Sequence, residues 1–385
     1  MSVSLDVTAV PSSPAGAGRY VVELAAALAR RDDIRLSVIA RGGDAVRWEH
    51  MNGSVHVAAR APAPRPARLA WEQLRLHSLL GRLGVDVHHG PHYTMPVRSK
   101  VPTVVTIHDL TFFDHPEWHE RSKVVMFRQA IRYAATHAAG LVCVSRYSAN
   151  CLLERFGSPK GMLEVIYHGV DHERFRPEEP AAGADSAVLE ELGIAWPYIL
   201  YIGTIEPRKN VAALVRAFSL MCQSLPDLRL VVAGSPGWGL SEVDQAISSS
   251  RCSQRIVRTG YVQDHFLPAL MRSALAFAYP SLKEGFGLPV LEALACGVPV
   301  VTSEGSATEE VADGAALLVP PGDERALTEA LESVVAGGPD TLARRALGLE
   351  VAARHTWQAS ATQHIDLYSQ VRDRHLGTRQ SGSST

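Results

Sequence analysis

At 385 residues the chain is long for one domain and suits two of about 150 to 200 residues each. Hydrophobic residues make up 46% and charged residues 20%, enough for ordinary cores, and a net charge of −2 excludes bulk electrostatic attraction to nucleic acid. The five cysteines, Cys143, Cys151, Cys222, Cys252 and Cys296, are odd in number and form no C-x-x-C pair, so reduced thiols are expected, with no disulfide and no zinc.

The opening MSVSLDVTAV alternates like a strand and lacks a basic segment followed by an apolar one. No run of about 18 apolar residues follows anywhere, so neither a signal peptide nor a membrane span is expected and the chain reads as cytoplasmic. Residues 1–178 read as one domain in which strands at 3–8, 36–40, 85–89, 103–108, 141–145 and 164–167 alternate with helices, the first at 20–30. That alternation predicts a doubly wound α/β parallel sheet, whose ligands sit at the carboxyl ends of the strands.

The segment PSSPAGAGRY, Pro11 to Tyr20, leaves the first strand and opens the first helix, so Gly16 and Gly18 can bring backbone amides to a phosphate or serve simply as a packing turn. Farther on, Arg68, Arg75 and Arg82 lie seven apart beside Leu69, Leu76, Leu79 and Leu83. One basic helical stripe is expected there, either a solvated surface or a peripheral contact with anionic lipid through residues 68–83. His88, His89 and His92 end one strand, and His108 with Asp109 ends the next. A metal site is disfavoured because these histidines lack i,i+4 spacing and have few carboxylates nearby. The aromatic segment 110–121 packs Phe112 and Phe113 inside or lines the entrance to a site at this end of the sheet.

Residues 179–188, rich in Ala, Pro and Glu, have the composition of a linker to a second domain at 189–355. There a strand ending at Gly203 leads through GTIEPRKN to a helix with Asn210 as its expected N-cap. Arg208 and Lys209 stand directly ahead of that helix, where charge and helix dipole together favour an anion. Further strands end at Gly234 and near Tyr261 and Val262. Residues 356–373 form a terminal helix, and 374–385 are expected to be disordered.

The most informative stretch is EGFGLPVLEALACGVPVV. Glu292 is set among Leu288, Val290, Leu291, Leu294 and Cys296, where an unpartnered carboxylate costs several kcal/mol, on the order of penalties for unpaired buried charge. It is satisfied either by backbone amides or by a ligand. The turn Gly285-Phe286-Gly287 lets backbone approach a ligand closely, and a helix opening near Leu288 leaves its first N–H groups available.

This string resembles the E-x7-E signature of family 4 of the retaining, nucleotide-sugar-dependent glycosyltransferases, and TIHDL, HGVD and GTIEPRKN resemble further motifs of that family. The set is most similar to a branch containing bacterial O-antigen mannosyltransferases. The resemblance implies two Rossmann-like domains facing across a cleft (the GT-B architecture), with the C-terminal helix crossing back to the first. It implies that Glu292 binds the donor ribose and that Glu284 and the amides of Gly285 to Leu288 meet the sugar. Arg208 and Lys209 then hold the leaving diphosphate, Gly16 and Gly18 lie over it, Gly203, Gly234, Tyr261 and Val262 border the nucleotide, and His108 with Asp109 faces the acceptor. The expected reaction is transfer of a hexose, mannose from GDP-mannose, to a lipid-linked or polysaccharide acceptor, with UDP- or dTDP-sugars as the alternative donors. The nucleotide sugar is a substrate, and no metal or other cofactor is expected, since the chain contains no D-x-D.

Two other classes remain. A non-catalytic nucleotide-sugar-binding protein would have lost the motif residues, yet His108, Arg208, Lys209, Glu284 and Glu292 are all present. A nicotinamide-dependent oxidoreductase needs a third glycine after Gly16-Ala17-Gly18, and none follows.

Overall fold

The computed structural model describes residues 1–51, 53, 55–178 and 181–382, with side chains described as far as Thr378. The chain forms two compact units, Met1–Gly169 with the terminal helix from Trp357, and Val170–Thr356. The division expected at residue 178 thus falls inside the second unit. Of the expected linker, Glu179 and Pro180 lie outside the described residues, and the helix Ala184–Glu191 occupies much of the rest. It is anchored by Asp185, whose two oxygens accept from Arg272 at 2.6 and 2.7 Å. A buried partner outweighs the loose local composition.

The first unit holds seven strands: β1 Ser2–Asp6, β2 Arg35–Arg41, β3 Val55–Ala61, β4 Val87–Gly90, β5 Thr103–Ile107, β6 Gly140–Cys143 and β7 Met162–Val165. They pair in parallel in the order β3-β2-β1-β4-β5-β6-β7. Helices cover both faces, so β4, β5 and β6 are buried throughout. β3 escapes sequence reading because an edge strand of HVAARA alternates weakly. The second unit repeats the plan with β8 Tyr198–Ile202, β9 Arg229–Ala233, β10 Ile256–Gly260, β11 Ala276–Tyr279, β12 Val300–Ser303 and β13 Leu317–Val319. Its order is β10-β9-β8-β11-β12-β13, again parallel. Strand order reverses between β1 and β4 in one sheet and between β8 and β11 in the other, and such switch points are where open α/β sheets take ligands.

The terminal helix Trp357–Gly382 packs on the first unit, with Leu367 and Val371 beside Gly140 of β6. Its polar side chains enter a buried network. Tyr368 Oη lies 2.7 Å from His89 Nδ1, His89 Nε2 lies 2.8 Å from Thr106 Oγ1, and Tyr20 Oη lies 2.9 Å from the same oxygen. His364 donates from Nδ1 to the Ser360 carbonyl, which leaves Nε2 to accept the Tyr20 hydroxyl at 3.1 Å. These imidazoles are structural, and His88 likewise meets Ser4 Oγ at 2.9 Å. The helix continues through Gly382, so the disorder expected for 374–385 is not found at 374–382, and 383–385 lie outside the described residues.

Two further expectations are corrected. Cys222 and Cys252 form a disulfide: one ends the helix Val211–Met221, the other sits in the turn before β10, and the fold brings their Cα atoms to 6.5 Å, within bonding reach. Spacing along the chain carries no such information. The basic stripe also breaks, because Glu72–Leu76 is a π turn that adds a residue to the helical repeat. Arg75 and Arg82 are exposed, whereas Arg68 turns inward and donates to Thr8 Oγ1. No helix among the described residues is long and apolar enough to cross a membrane.

Candidate functional site

The strongest constellation lies at the switch point of the second sheet. After β8 the chain turns at Gly203, runs through Glu206 and a short 3₁₀ turn Pro207–Lys209, and enters the helix Val211–Met221. Asn210 is its N-cap residue, but it adopts a left-handed conformation with φ of 55° and makes no side-chain cap bond, contrary to expectation. Asn tolerates that region better than most residues, and the turn it makes aims Arg208 and Lys209 across β8 toward the end of β11.

There the two cations meet Glu284. Arg208 Nη1 donates to Glu284 Oε2 at 2.7 Å, and Lys209 Nζ donates to Glu284 Oε1. Arg208 Nε pairs with Glu206 Oε1 at 2.6 Å, and Lys209 Nζ also donates to Tyr279 Oη at 2.5 Å. Sequence reasoning missed Glu206 and Tyr279, although one stands within GTIEPRKN and the other ends β11. Both oxygens of Glu284 are thus taken by side chains of the preceding loop.

Burial alone would push the Glu284 carboxyl up, but Arg208 and Lys209 outweigh it and hold the group at about 2, against an ordinary value of 4.5. Burial draws the Lys209 ammonium below its ordinary value, with Arg208 adding to this and Glu284 and Glu206 opposing it. Burial and Glu284 raise Tyr279 well above its ordinary value, so its phenol keeps its proton. Because the Glu284 value is depressed on folding, its stabilisation is fully present above pH 4.5 and is lost as pH falls toward 2. The difference is about 3 kcal/mol at one decade per 1.36 kcal/mol. Urea unfolding of the parent and of Glu284→Gln at a series of pH values checks this: the parent should lose stability more steeply between pH 4.5 and 2, and parallel profiles would contradict it.

Glycines shape the surrounding edge. A Cβ on Gly234, after β9, would lie 1.9 Å from the Gly203 carbonyl oxygen, so only glycine allows these two strand ends to touch. Gly234 N donates to Gly260 O at 2.8 Å, which brings in the end of β10, followed by half-exposed Tyr261 and buried Val262. On the other side of the switch, Glu284 to Leu288 are all buried, and Gly287 caps the helix Leu288–Ala295 with φ of 101°, where a Cβ would strike Thr308. Glu292 is carried on that helix and is 4% exposed. The structure thus brings Arg208, Lys209 and Glu284 into direct contact, sets Gly203, Gly234, Tyr261 and Val262 just beyond the carboxyl ends of β8, β9 and β10, and places Gly285 to Leu288 after β11, with Glu292 farther along the helix Leu288–Ala295.

Gly16, Gly18, His108 and Asp109 lie in the first unit. Gly16 caps the helix Ala17–Ala29 at φ of 50°, and Gly18 packs against Pro11 and Pro14. His108 follows β5, donates from Nε2 to the Pro91 carbonyl at 2.8 Å, and is held below its ordinary value by burial against the opposing pull of Pro91 and Asp109. It is therefore a neutral imidazole whose Nδ1 is the accepting nitrogen. Asp109 Oδ1 accepts from the amide and hydroxyl of Thr111 at 3.0 and 2.6 Å. Phe112 packs against Phe127 with ring centroids 4.7 Å apart, so the packing alternative holds for that ring. No group of three or more His, Cys, Asp or Glu able to hold a metal occurs among the described residues.

Comparison with known proteins extends these findings. Residues 14–174 match the family described as Glycosyltransferase Family 4, and residues 196–337 match Glycosyl transferases group 1. The chain is 32% identical over 284 residues to O-antigen chain mannosyltransferase B of Escherichia coli, an alignment spanning 73% of this chain and 74% of that protein. It is 33% identical over 251 residues to a GDP-mannose-dependent alpha-(1-6)-phosphatidylinositol monomannoside mannosyltransferase of Mycolicibacterium smegmatis, over 62% of this chain and 63% of the relative. Among solved structures, sucrose-phosphate synthase from Thermosynechococcus elongatus superposes with a TM-score of 0.76 at 21% identity, covering 96% of this chain and 99% of that one.

Proposed function

The chain belongs to glycosyltransferase family 4, and on that premise we propose that this glycosyltransferase is a retaining mannosyltransferase moving mannose from GDP-mannose to a lipid-linked or polysaccharide acceptor of the cell envelope. One observation carries the reading: Arg208, Lys209 and Glu284 converge, buried, at the switch point between β8 and β11. Two cations placed there suit a nucleoside diphosphate, and they oppose the charge that grows on it as the sugar leaves. In the arrangement described, Glu284 and Glu206 already occupy them. Donor binding therefore exchanges partners: the diphosphate oxygens take Arg208 and Lys209, and Glu284 turns to the sugar hydroxyls beside the amides of Gly285 to Leu288. Glu292 accepts from the ribose, and Tyr261 and Val262 border the base.

The first unit supplies the acceptor side, with neutral His108 positioning the reacting hydroxyl and Asp109 Oδ2 as a further acceptor. No divalent metal takes part. Mannose as the transferred sugar is supported by the names of the two relatives. Peripheral contact with the inner face of the membrane, in a cytoplasmic protein, is supported by exposed Leu74, Arg75 and Arg82.

A thermal-shift panel of GDP, UDP and dTDP with excess chelator tests donor class and metal independence together. GDP at 100 times its Kd should stabilise by about 2.7 kcal/mol, and the others much less. A larger shift with UDP or dTDP would overturn the donor, and a shift that appears only after magnesium or manganese is restored would overturn metal independence.

A further inference from the structure

Among the described residues, three buried serine hydroxyls have no hydrogen-bond partner, those of Ser281, Ser303 and Ser360. Ser360 is carried by the terminal helix, whereas Ser303 ends β12 and Ser281 follows β11, so two of the three stand where these neighbouring strands end. A buried hydroxyl left unpaired has lost its bonds to water and regained nothing, and native structures keep few such groups. Ser281 is 0% exposed. Alanine would occupy nearly the same space without that cost, so nothing in the free protein accounts for the oxygen, whereas a bond formed only with a ligand would.

The chain around Ser281 indicates which ligand. Tyr279 Oη accepts from Lys209 Nζ at 2.5 Å, the Leu282 amide donates to the Arg208 carbonyl at 2.7 Å, and the Lys283 carbonyl accepts from Arg208 Nη1 at 3.3 Å. Glu284 accepts from both side chains. Ser281 thus lies within a short run of chain laced to Arg208 and Lys209, yet its own hydroxyl bonds to neither. Both cations are matched with carboxylates, Glu206 and Glu284, and do not need it. Phosphate oxygens accept and do not donate, so a serine hydroxyl beside two cations supplies a further donor of the kind they take.

We propose that the Ser281 hydroxyl donates to a phosphate oxygen of the bound donor, completing the cradle begun by Arg208 and Lys209. The hydroxyl is shut off from solvent while Glu284 holds the cations. The exchange of partners described above withdraws Glu284 and brings in the acceptor that Ser281 Oγ lacks. The free protein therefore carries an unpaired hydroxyl that the bound phosphate satisfies. This rests on the reading of Arg208 and Lys209 as the diphosphate site, which Lys209→Met checks separately.

Melting temperature and calorimetric titration with inorganic pyrophosphate, on the full chain and on its Ser281→Ala, Ser360→Ala and Lys209→Met variants, test the proposal. Without ligand, Ser281→Ala should melt no lower than the parent, while its pyrophosphate affinity falls about tenfold, the effect of one bond to a charged group. A side chain that only supports the fold would instead lower the melting temperature. Ser360→Ala should also melt no lower than the parent but bind pyrophosphate as tightly. A lower melting temperature in Ser281→Ala would show the hydroxyl already satisfied in the free protein, by an ordered water for instance, and would overturn the proposal. Equal weakening in Ser360→Ala would overturn it too. Unchanged affinity in Ser281→Ala beside a loss in Lys209→Met would overturn it and leave the diphosphate site standing, and no binding by the parent would overturn both.

Discussion

Lys209→Met is expected to lower kcat by about a hundredfold or more while the protein stays folded. The ammonium is buried, bonded to Glu284 and Tyr279, and stands beside Arg208, so nothing mobile can replace it. In a water-poor site, one preorganised cation opposite a leaving diphosphate contributes on the order of 3 kcal/mol to the transition state, and each 1.36 kcal/mol is a decade in rate. Methionine keeps most of the apolar stem, so the loss reports charge more than packing. Single-turnover kinetics at saturating donor, with melting temperature as the folding control, is the check. A folded variant within threefold of the parent would remove Lys209 from the leaving-group role.

The second large effect concerns binding. Glu292→Ala should weaken GDP by about 10- to 100-fold, since one hydrogen bond from a ribose hydroxyl to a charged group contributes roughly 1.5 to 3 kcal/mol. Inorganic pyrophosphate, which has no ribose, should bind the variant as tightly as the parent. If both ligands weaken alike, Glu292 supports the phosphate site or the fold and does not hold the ribose.

The motifs made most of the second unit legible in the sequence. Strand ends followed by glycine, by Arg208-Lys209 or by the Glu284 turn declared a parallel sheet with a polar edge, and the switch point between β8 and β11 brings just these segments side by side. Hidden from sequence reading was how the charges pair. That Glu284 accepts from both Arg208 and Lys209 depends on β8 lying beside β11, strands separated along the chain by β9 and β10. The same holds for Cys222 and Cys252, whose proximity is created by the return of the chain to β10. Arg68 failed for a local reason, since a seven-residue repeat presumes an unbroken α-helix and Glu72–Leu76 is a π turn. The terminal helix was expected, but its fixing by His89, Thr106, Tyr20 and His364 was not, because those side chains are scattered over four elements.

We propose retaining transfer from GDP-mannose by a site in which Arg208 and Lys209 stand behind the leaving group. Slow hydrolysis of GDP-mannose, UDP-glucose and dTDP-rhamnose by the chain, followed by NMR in the presence of chelator, tests it most directly. GDP-mannose should be consumed in preference to the others and should release α-mannose first, before the free sugar equilibrates in solution. Release of β-mannose first would contradict retention, and preferential turnover of another donor would contradict the choice of sugar.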